Sequence, residues 1–208
     1  DKDLEMKLFD SVGPNPKVVR MFMAELGVEC DRQEVDLMGG ENRQAAFLEI
    51  NPAGTCPALE MDDGSVLSEV TAICEYLAEK EGGSSLVGES GEDRAITRMW
   101  TRRIDLGIIE PLTNGFRYSD GLPIFKDRMQ TIPEAADGLK SIAQEKLTWL
   151  DGQLAGKNYI CGERFSLADV MLFCFLEFGG QVGQPLNADN SNIMAWYQRV
   201  SGRASSAA

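Results

Sequence analysis

The sequence predicts a two-domain chain, a small α/β domain over residues 6–80 followed by an all-α domain over residues 92–208. Three observations predict it. Strand and helix signals alternate through the first part, no strand signal follows in the second, and residues 81–91 between them are rich in Gly, Ser and Glu, as a linker is. The 208 residues exceed one typical domain and suit two small ones.

Met6-Lys7-Leu8-Phe9 alternates apolar and polar residues, as a half-buried strand does. Pro16 then opens a helix in which Val19, Phe22, Met23 and Leu26 share one face, with Asn15 as N-cap and Gly27 as stop. A second strand is expected around Val35-Asp36-Leu37, and a short helix over residues 44–49, stopped by Asn51-Pro52. Residues 58–61 and 65–68 flank Asp62-Asp63-Gly64, which reads as a tight hairpin. Residues 69–80 place Ala72, Ile73, Tyr76 and Leu77 on one helical face. The order is βαβ, then ββα, and this small mixed-sheet plan resembles a thioredoxin-like domain.

In the second domain Ser90-Gly91-Glu92-Asp93 is a capping-box pattern that opens a helix through Ile96, Met99, Trp100 and Ile104. Residues 111–133 are interrupted by Gly and Pro and give no clear helix boundaries. A further helix carries Leu139, Ile142, Ala143, Leu147 and Leu150. In Phe165-Ser166-Leu167-Ala168-Asp169-Val170, Ser166 and Asp169 can cap each other's amides and Phe165 can staple onto Val170. The almost wholly apolar run after it suits a helix buried on all sides. Loss of the Asp169 carboxylate is expected to cost about 1 kcal/mol or somewhat more.

Composition narrows the functions available. With 43% hydrophobic and 25% charged residues the chain can bury an ordinary core. The excess of 33 acidic over 20 basic residues, net −13, argues against a nucleic-acid partner. An anionic ligand must then be caught by local donors rather than by the overall field. There is no histidine, which removes histidine metal sites and both Ser–His–Asp and Cys–His catalysis. Five scattered cysteines without C-x-x-C predict reduced thiols rather than a disulfide framework or a zinc site. No apolar run approaches the ~18 residues of a membrane span. The first ten residues lack a secretory apolar block, and residues 1–5 are expected to precede a natural start at Met6.

Four motifs in this order, spread from Met6 onward, give the chain a specific likeness. They are Ser11-Val12-Gly13-Pro14-Asn15-Pro16, Asn51-Pro52-Ala53-Gly54-Thr55-Cys56-Pro57, Glu69-Val70-Thr71-Ala72-Ile73 and Ser166-Leu167-Ala168-Asp169. Together with the domain plan they resemble the cytosolic glutathione transferase family, bacterial type. The resemblance implies glutathione as co-substrate and a small apolar electrophile or a peroxide as second substrate. It further implies no metal and no membrane or nucleic-acid partner, a homodimer, a cytoplasmic location and a role in detoxification.

Site residues follow from the same resemblance. Pro57 is the proline that the family holds cis, leaving the backbone of Cys56, with Thr55 beside it, to pair with the glutathione cysteinyl backbone. The Cys56 thiol itself is incidental. Glu69 meets the γ-glutamyl ammonium and the Val70 amide its carboxylate, at a helix start that suits an anion in its own right. Family members carry Ser or Thr where Val70 stands, so a hydroxyl hydrogen bond is missing here. Asn42 is a further candidate contact to glutathione. Trp100, Phe116 and Tyr118 are candidates for the apolar substrate wall, and Arg98, Arg102 and Arg103 for the glycyl carboxylate. Each also has an ordinary structural reading, as core, cap or solvated surface.

The group that activates the thiol is the open position. A thiol of pKa about 8.5 needs a donor to favour its anion at neutral pH. The family uses Tyr, Ser or Cys near the first strand, whereas this chain has no Tyr before Tyr76 and no Cys before Cys30. The slot before Pro16 holds Asn15, whose side-chain amide and backbone N–H lie at a helix start. The Pro14-Asn15 pair resembles the bacterial Nu class, which implies disulfide-reductase or peroxide chemistry, although Gly13 stands where that class carries Thr. Ser11 is the second candidate. Two other readings stay open: a non-catalytic binding or interaction protein on the same fold, and redox chemistry through a protein cysteine, with Cys56 the one able to approach.

Overall fold

The computed structural model describes residues 6–208, and the expectation about residues 1–5 lies outside them. Two compact units emerge, one running to Ser84 and taking in Ala207–Ala208, the other spanning Ser85–Ser206.

The first unit is a four-stranded mixed sheet with helices on both faces. Its elements are β1 (Lys7–Asp10), α1 (Pro14–Leu26), β2 (Asp31–Glu34), a 3-10 turn (Glu41–Arg43) and α2 (Ala45–Ile50). A hairpin of β3 (Ala58–Glu60) and β4 (Val66–Ser68) then leads into α3 (Val70–Lys80). The strand order is β2-β1-β3-β4, with β1 parallel to β2 and antiparallel to β3. Alternation along β1 divides the core. Phe9 packs with Val35, Phe47 and Ala58 on one face, its ring edge-on to Phe47 at 6.1 Å. Leu8 points to the other, where α1 and α3 bury Val18, Phe22, Ile73 and Leu77. These are the strands and helices of a thioredoxin-like domain, as the alternating signals imply.

Two local expectations are corrected. Helix α1 begins at Pro14, so Asn15 lies inside its first turn and is not the cap. The cap is Gly13, with φ 106, a conformation open to glycine at little cost, and Pro14 then supplies the fixed φ of a first helical residue. The second strand is not Val35-Asp36-Leu37 but the polar run before it, Asp31–Glu34, exposed along its whole length. It is an edge strand held by backbone pairing to β1, with Val35 entering the core only after pairing ends.

The second unit is helical: α4 (Gly91–Ile104), a π-helical turn (Asp105–Ile109), α5 (Glu110–Arg117), α6 (Leu122–Phe125), α7 (Ala136–Gln153), α8 (Leu167–Gln181) and α9 (Ser191–Ser201). Ser90 caps α4 by accepting from the Asp93 amide at 3.0 Å. The buried face of α4 is Thr97, Trp100, Thr101 and Ile104, while Ile96 and Met99, expected inside, are 41% and 40% exposed. The two threonines satisfy their hydroxyls on helix carbonyls, which lets them be buried in place of larger apolar residues. On α7, Ala143, Leu147 and Leu150 are buried and Ile142 is exposed.

Helix α8 is buried almost throughout its first ten residues, and its start is the reciprocal cap read from the sequence. The Asp169 carboxylate accepts from the Ser166 amide at 2.9 Å, but it also reaches much further. Its Oδ1 accepts from the Ile160 amide at 3.0 Å and from the Trp196 indole at 2.7 Å, so one side chain ties α8 to the preceding loop and to α9.

Candidate active site

The sheet register brings the sequence motifs of the first unit together. Ala58 of β3 pairs with Phe9 of β1 on one side and with Ser68 of β4 on the other. Past that single row β1 runs on into Asp10 and Ser11, β4 runs on into Glu69 and Val70, and Cys56-Pro57 arrives at β3. Three separate segments thus emerge at one edge of the sheet, each one strand spacing of about 4.8 Å from the next.

The β1–α1 loop is braced from beneath. Asp10, 6% exposed, accepts from Arg20 Nη1 at 2.6 Å and from the Ser11 amide at 2.9 Å. Arg20 also donates to the Ser11 carbonyl at 3.1 Å, and the Ser11 hydroxyl donates to the Val35 carbonyl at 2.6 Å. Ser11 is therefore buried and its proton committed to the backbone. The Asp10–Arg20 pair has one signal in the sequence, because an acid closing an apolar strand needs a partner when buried.

Asn15 is half-buried in the first turn of α1. Both its neighbours are proline and lack an N–H, so Asn15 carries the one backbone donor among the first three helical residues. The Lys17 amide already bonds to Gly13 O at 3.3 Å. The positive end of α1 is thus concentrated on Asn15, through its backbone N–H and its side-chain amide together.

The Cys56–Pro57 bond is cis. The loop before it is held from within. Asn51 Nδ2 donates to the Thr55 carbonyl at 2.8 Å and Asn42 Nδ2 to the Gly54 carbonyl at 2.7 Å. Gly54 has φ 63, and a Cβ there would meet the Asn42 carbonyl at 3.1 Å and Arg43 Nη1 at 2.9 Å, so the close approach requires glycine. Asn42 is buried and its Oδ1 has no hydrogen-bond partner among the described residues. Thr55 is exposed and Cys56 buried. Burial, and then the charges of Asp10, Glu41 and Glu34, push the Cys56 thiol up to about 11. Such a thiol is a poor nucleophile at neutral pH. Brief treatment of the folded protein with iodoacetamide at neutral pH is expected to leave Cys56 unmodified. Peptide mass mapping reads this, and fast modification of Cys56 would reopen chemistry through a protein thiol.

Glu69, with φ 75, is the one non-glycine residue at positive φ among the described residues, and it caps α3. The conformation costs of order 1–3 kcal/mol and aims the exposed Glu69 side chain and the Val70 amide out of the helix start. In the helical unit, Trp100 is buried against Trp149 at 6.0 Å, with Arg103 over its ring, which makes both residues part of a local aromatic cluster. Phe116 is half-buried and edge-on to Phe125 and Phe178, at 6.2 and 5.1 Å. Tyr118 is half-buried, and Arg98 and Arg102 are exposed.

Comparison with known proteins identifies the family. The family model for the glutathione S-transferase N-terminal domain matches residues 12–80, and that for the C-terminal domain matches residues 133–199. The chain is 32% identical over 201 residues to glutathione S-transferase GstA of Escherichia coli, covering 95% of this chain and 94% of the relative. Among solved structures, a glutathione S-transferase domain-containing protein of Marinobacter aquaeolei is 33% identical with a TM-score of 0.90, covering 96% of this chain and 98% of that one. Gtt2 from Saccharomyces cerevisiae is 28% identical with a TM-score of 0.88, covering 96% and 97%. Both domains, in order, over nearly the full length of such relatives, place the chain in the glutathione S-transferase family.

Proposed function

We propose that this protein is a glutathione transferase that uses the glutathione thiolate to conjugate an electrophile or to reduce a peroxide or disulfide. The observation that carries the reading is the convergence of three backbone segments beyond the row Phe9–Ala58–Ser68. Two strand spacings, about 10 Å, are what a three-residue extended peptide spans. In this reading the cysteinyl backbone of glutathione pairs with Cys56 before Pro57, in the manner of an added strand. The γ-glutamyl end lies at the start of α3, its carboxylate on the Val70 amide and its ammonium near Glu69. Asn42 acts through the loop it holds, alongside Thr55. The thiolate lies at the start of α1.

Asn15 is then the activating group, and its amide donors stabilise the thiolate without taking or giving a proton. The geometry favours it over Ser11, whose hydroxyl already donates to Val35. Its likeness to the Nu class supports a share of peroxide or disulfide chemistry. Exposed Ile96 and Met99 on α4 and Ile142 and Trp149 on α7 support a homodimer, which light scattering reports directly. Five cysteines with no disulfide among the described residues support a reducing, cytoplasmic setting, in keeping with a role in detoxification.

Val70 gives a test of the glutamyl pocket. Threonine is nearly its isostere and adds the hydroxyl that family members carry there. Val70→Thr is expected to tighten glutathione binding about 2- to 10-fold, the worth of one hydrogen bond. Calorimetric titration measures it, and unchanged or weaker binding would place the γ-glutamyl end elsewhere.

A further inference from the structure

A buried acid stands where a thiolate site least tolerates one. Asp10 ends β1, just past the row Phe9–Ala58–Ser68 from which the three site segments emerge. By the alternation of β1 it shares the face of Leu8, the side on which α1 and α3 pack. After burial itself, the charge of Asp10 is the strongest influence that raises the Cys56 thiol, ahead of Glu41 and Glu34. Its field therefore reaches the segment that pairs with the cysteinyl backbone of glutathione in the transferase reading. An uncompensated anion there opposes the formation of a second one, which is the reverse of activation.

Arg20 supplies the compensation. Its Nη1 donates to Asp10 Oδ1 at 2.6 Å and to the Ser11 carbonyl at 3.1 Å. The two side chains are only 18% and 9% exposed, so the pair is shielded from the water that weakens surface ion pairs. Arg20 stands on α1 beyond Asn15, and the same contact fixes that helix to the end of β1 across the short loop 11–13. The other charges that reach Cys56 are placed differently. Glu34 is exposed on β2 opposite Asp10, and half-buried Glu41 accepts from the Asp36 amide at 2.7 Å. The buried face of α3 brings the Cys74 thiol and no charged side chain to this side of the sheet.

We propose that Arg20 is a positioning residue for the transfer reaction: it neutralises Asp10 and ties the end of β1 to α1, so that the helix start meets the thiolate with no unpaired buried anion beside it. The proposal rests on the transferase reading. It gives the pair two separable effects, a mechanical one on the loop and an electrostatic one on the thiol. Asp10→Asn removes the charge but keeps an oxygen that can accept from Arg20 and from the Ser11 amide. Arg20→Met removes the tie and leaves the acid alone. A brace without an electrostatic role would shift the thiol in the same direction in both variants, or in neither.

The test is the pH profile of kcat/KM for glutathione, with thiolate absorption of the bound tripeptide, in the wild type, Asp10→Asn, Arg20→Met, Arg20→Lys and the double variant Asp10→Asn/Arg20→Met. In Arg20→Met the profile is expected to move up and kcat/KM at neutral pH to fall about 10-fold, the effect of one pH unit of displacement. Affinity for S-methylglutathione, which has no thiol to ionise, should change much less. In Asp10→Asn the profile moves down, in Arg20→Lys it stays near the wild type, and in the double variant it returns toward the wild type. Arg20→Met is the variant at risk of misfolding, and Asp10→Asn with Arg20→Lys decides the question without it. Profiles displaced the same way by Asp10→Asn and Arg20→Met, an unmoved profile in Asp10→Asn, or no recovery in the double variant would overturn the proposal. Proton release when the wild type binds glutathione reports separately on the transferase reading, so the two can fail independently.

Discussion

Replacing Asn15 by alanine is expected to lower the rate of glutathione transfer by about 10- to 1,000-fold, by analogy with the loss of one donor from other anion-stabilising sites. The size of the effect follows from the helix start. Pro14 and Pro16 leave the first turn of α1 with the backbone N–H of Asn15 and little else, so its side-chain amide has few substitutes. The variant keeps the backbone donor, and alanine is a good helix former, so glutathione affinity and melting temperature should change much less than kcat. The pH profile distinguishes the role. If Asn15 favours the thiolate, the apparent pKa governing kcat/KM moves up toward the free thiol in Asn15→Ala. A fall in rate with an unmoved profile would make Asn15 a residue of shape rather than of thiol activation. The matching variant Ser11→Ala is expected to act on stability first, through the lost bond to Val35.

The second large effect is on the fold. Asp169→Ala is expected to cost about 3–5 kcal/mol of stability, well above the ~1 kcal/mol of a lone helix cap. The difference comes from two buried donors far from the cap, the Ile160 amide and the Trp196 indole, which lose their acceptor at about 1–3 kcal/mol each. The carboxyl is fully buried, and burial carries it from an ordinary 3.8 to about 6, against hydrogen bonds from Ile160, Trp196 and Ser166 that favour the anion. With the folded value above the unfolded one, the folded protein holds the proton more tightly. That contribution is complete below the unfolded value and is lost as pH rises through about 6. The stability advantage of wild type over Asp169→Asn should therefore shrink by about 2–3 kcal/mol between roughly pH 4 and pH 7. Denaturant titrations across that range measure it. A constant gap would mean that the four contacts to Ser166, Ile160 and Trp196 keep Asp169 ionised throughout.

What the sequence disclosed, and what it hid, divides along the range of the interaction. The apolar alternation of β1, the Asp62-Asp63-Gly64 hairpin and the Ser166–Asp169 cap are set within a few residues, and all are present. The second strand is hidden from the sequence because Asp31–Glu34 has no apolar alternation, and an edge strand needs only its backbone to pair. Asn15 has the residue type of a cap, but the φ of Gly13 decides where α1 begins. Ile96 and Met99 read as core because periodicity counts apolar residues, whereas Thr97 and Thr101 are buried with their hydroxyls satisfied on the helix. The site residues were nameable only through motifs. That three of their segments emerge side by side past one sheet row depends on the register of β1, β3 and β4, which no local pattern states. The reach of Asp169 to Trp196, 27 residues on, and the Asp10–Arg20 brace were hidden for the same reason.

The most direct test of the central claim is a calorimetric titration of the wild type with reduced glutathione, repeated in buffers of different ionisation enthalpy. Binding on the sheet edge with activation at α1 predicts saturation below millimolar glutathione. It also predicts a heat that varies with the buffer, because the thiol gives up its proton on binding. S-methylglutathione, which has no such proton, should bind without that dependence. No binding at millimolar glutathione would contradict the account outright, and binding without proton release would leave a glutathione site with no thiol activation in it.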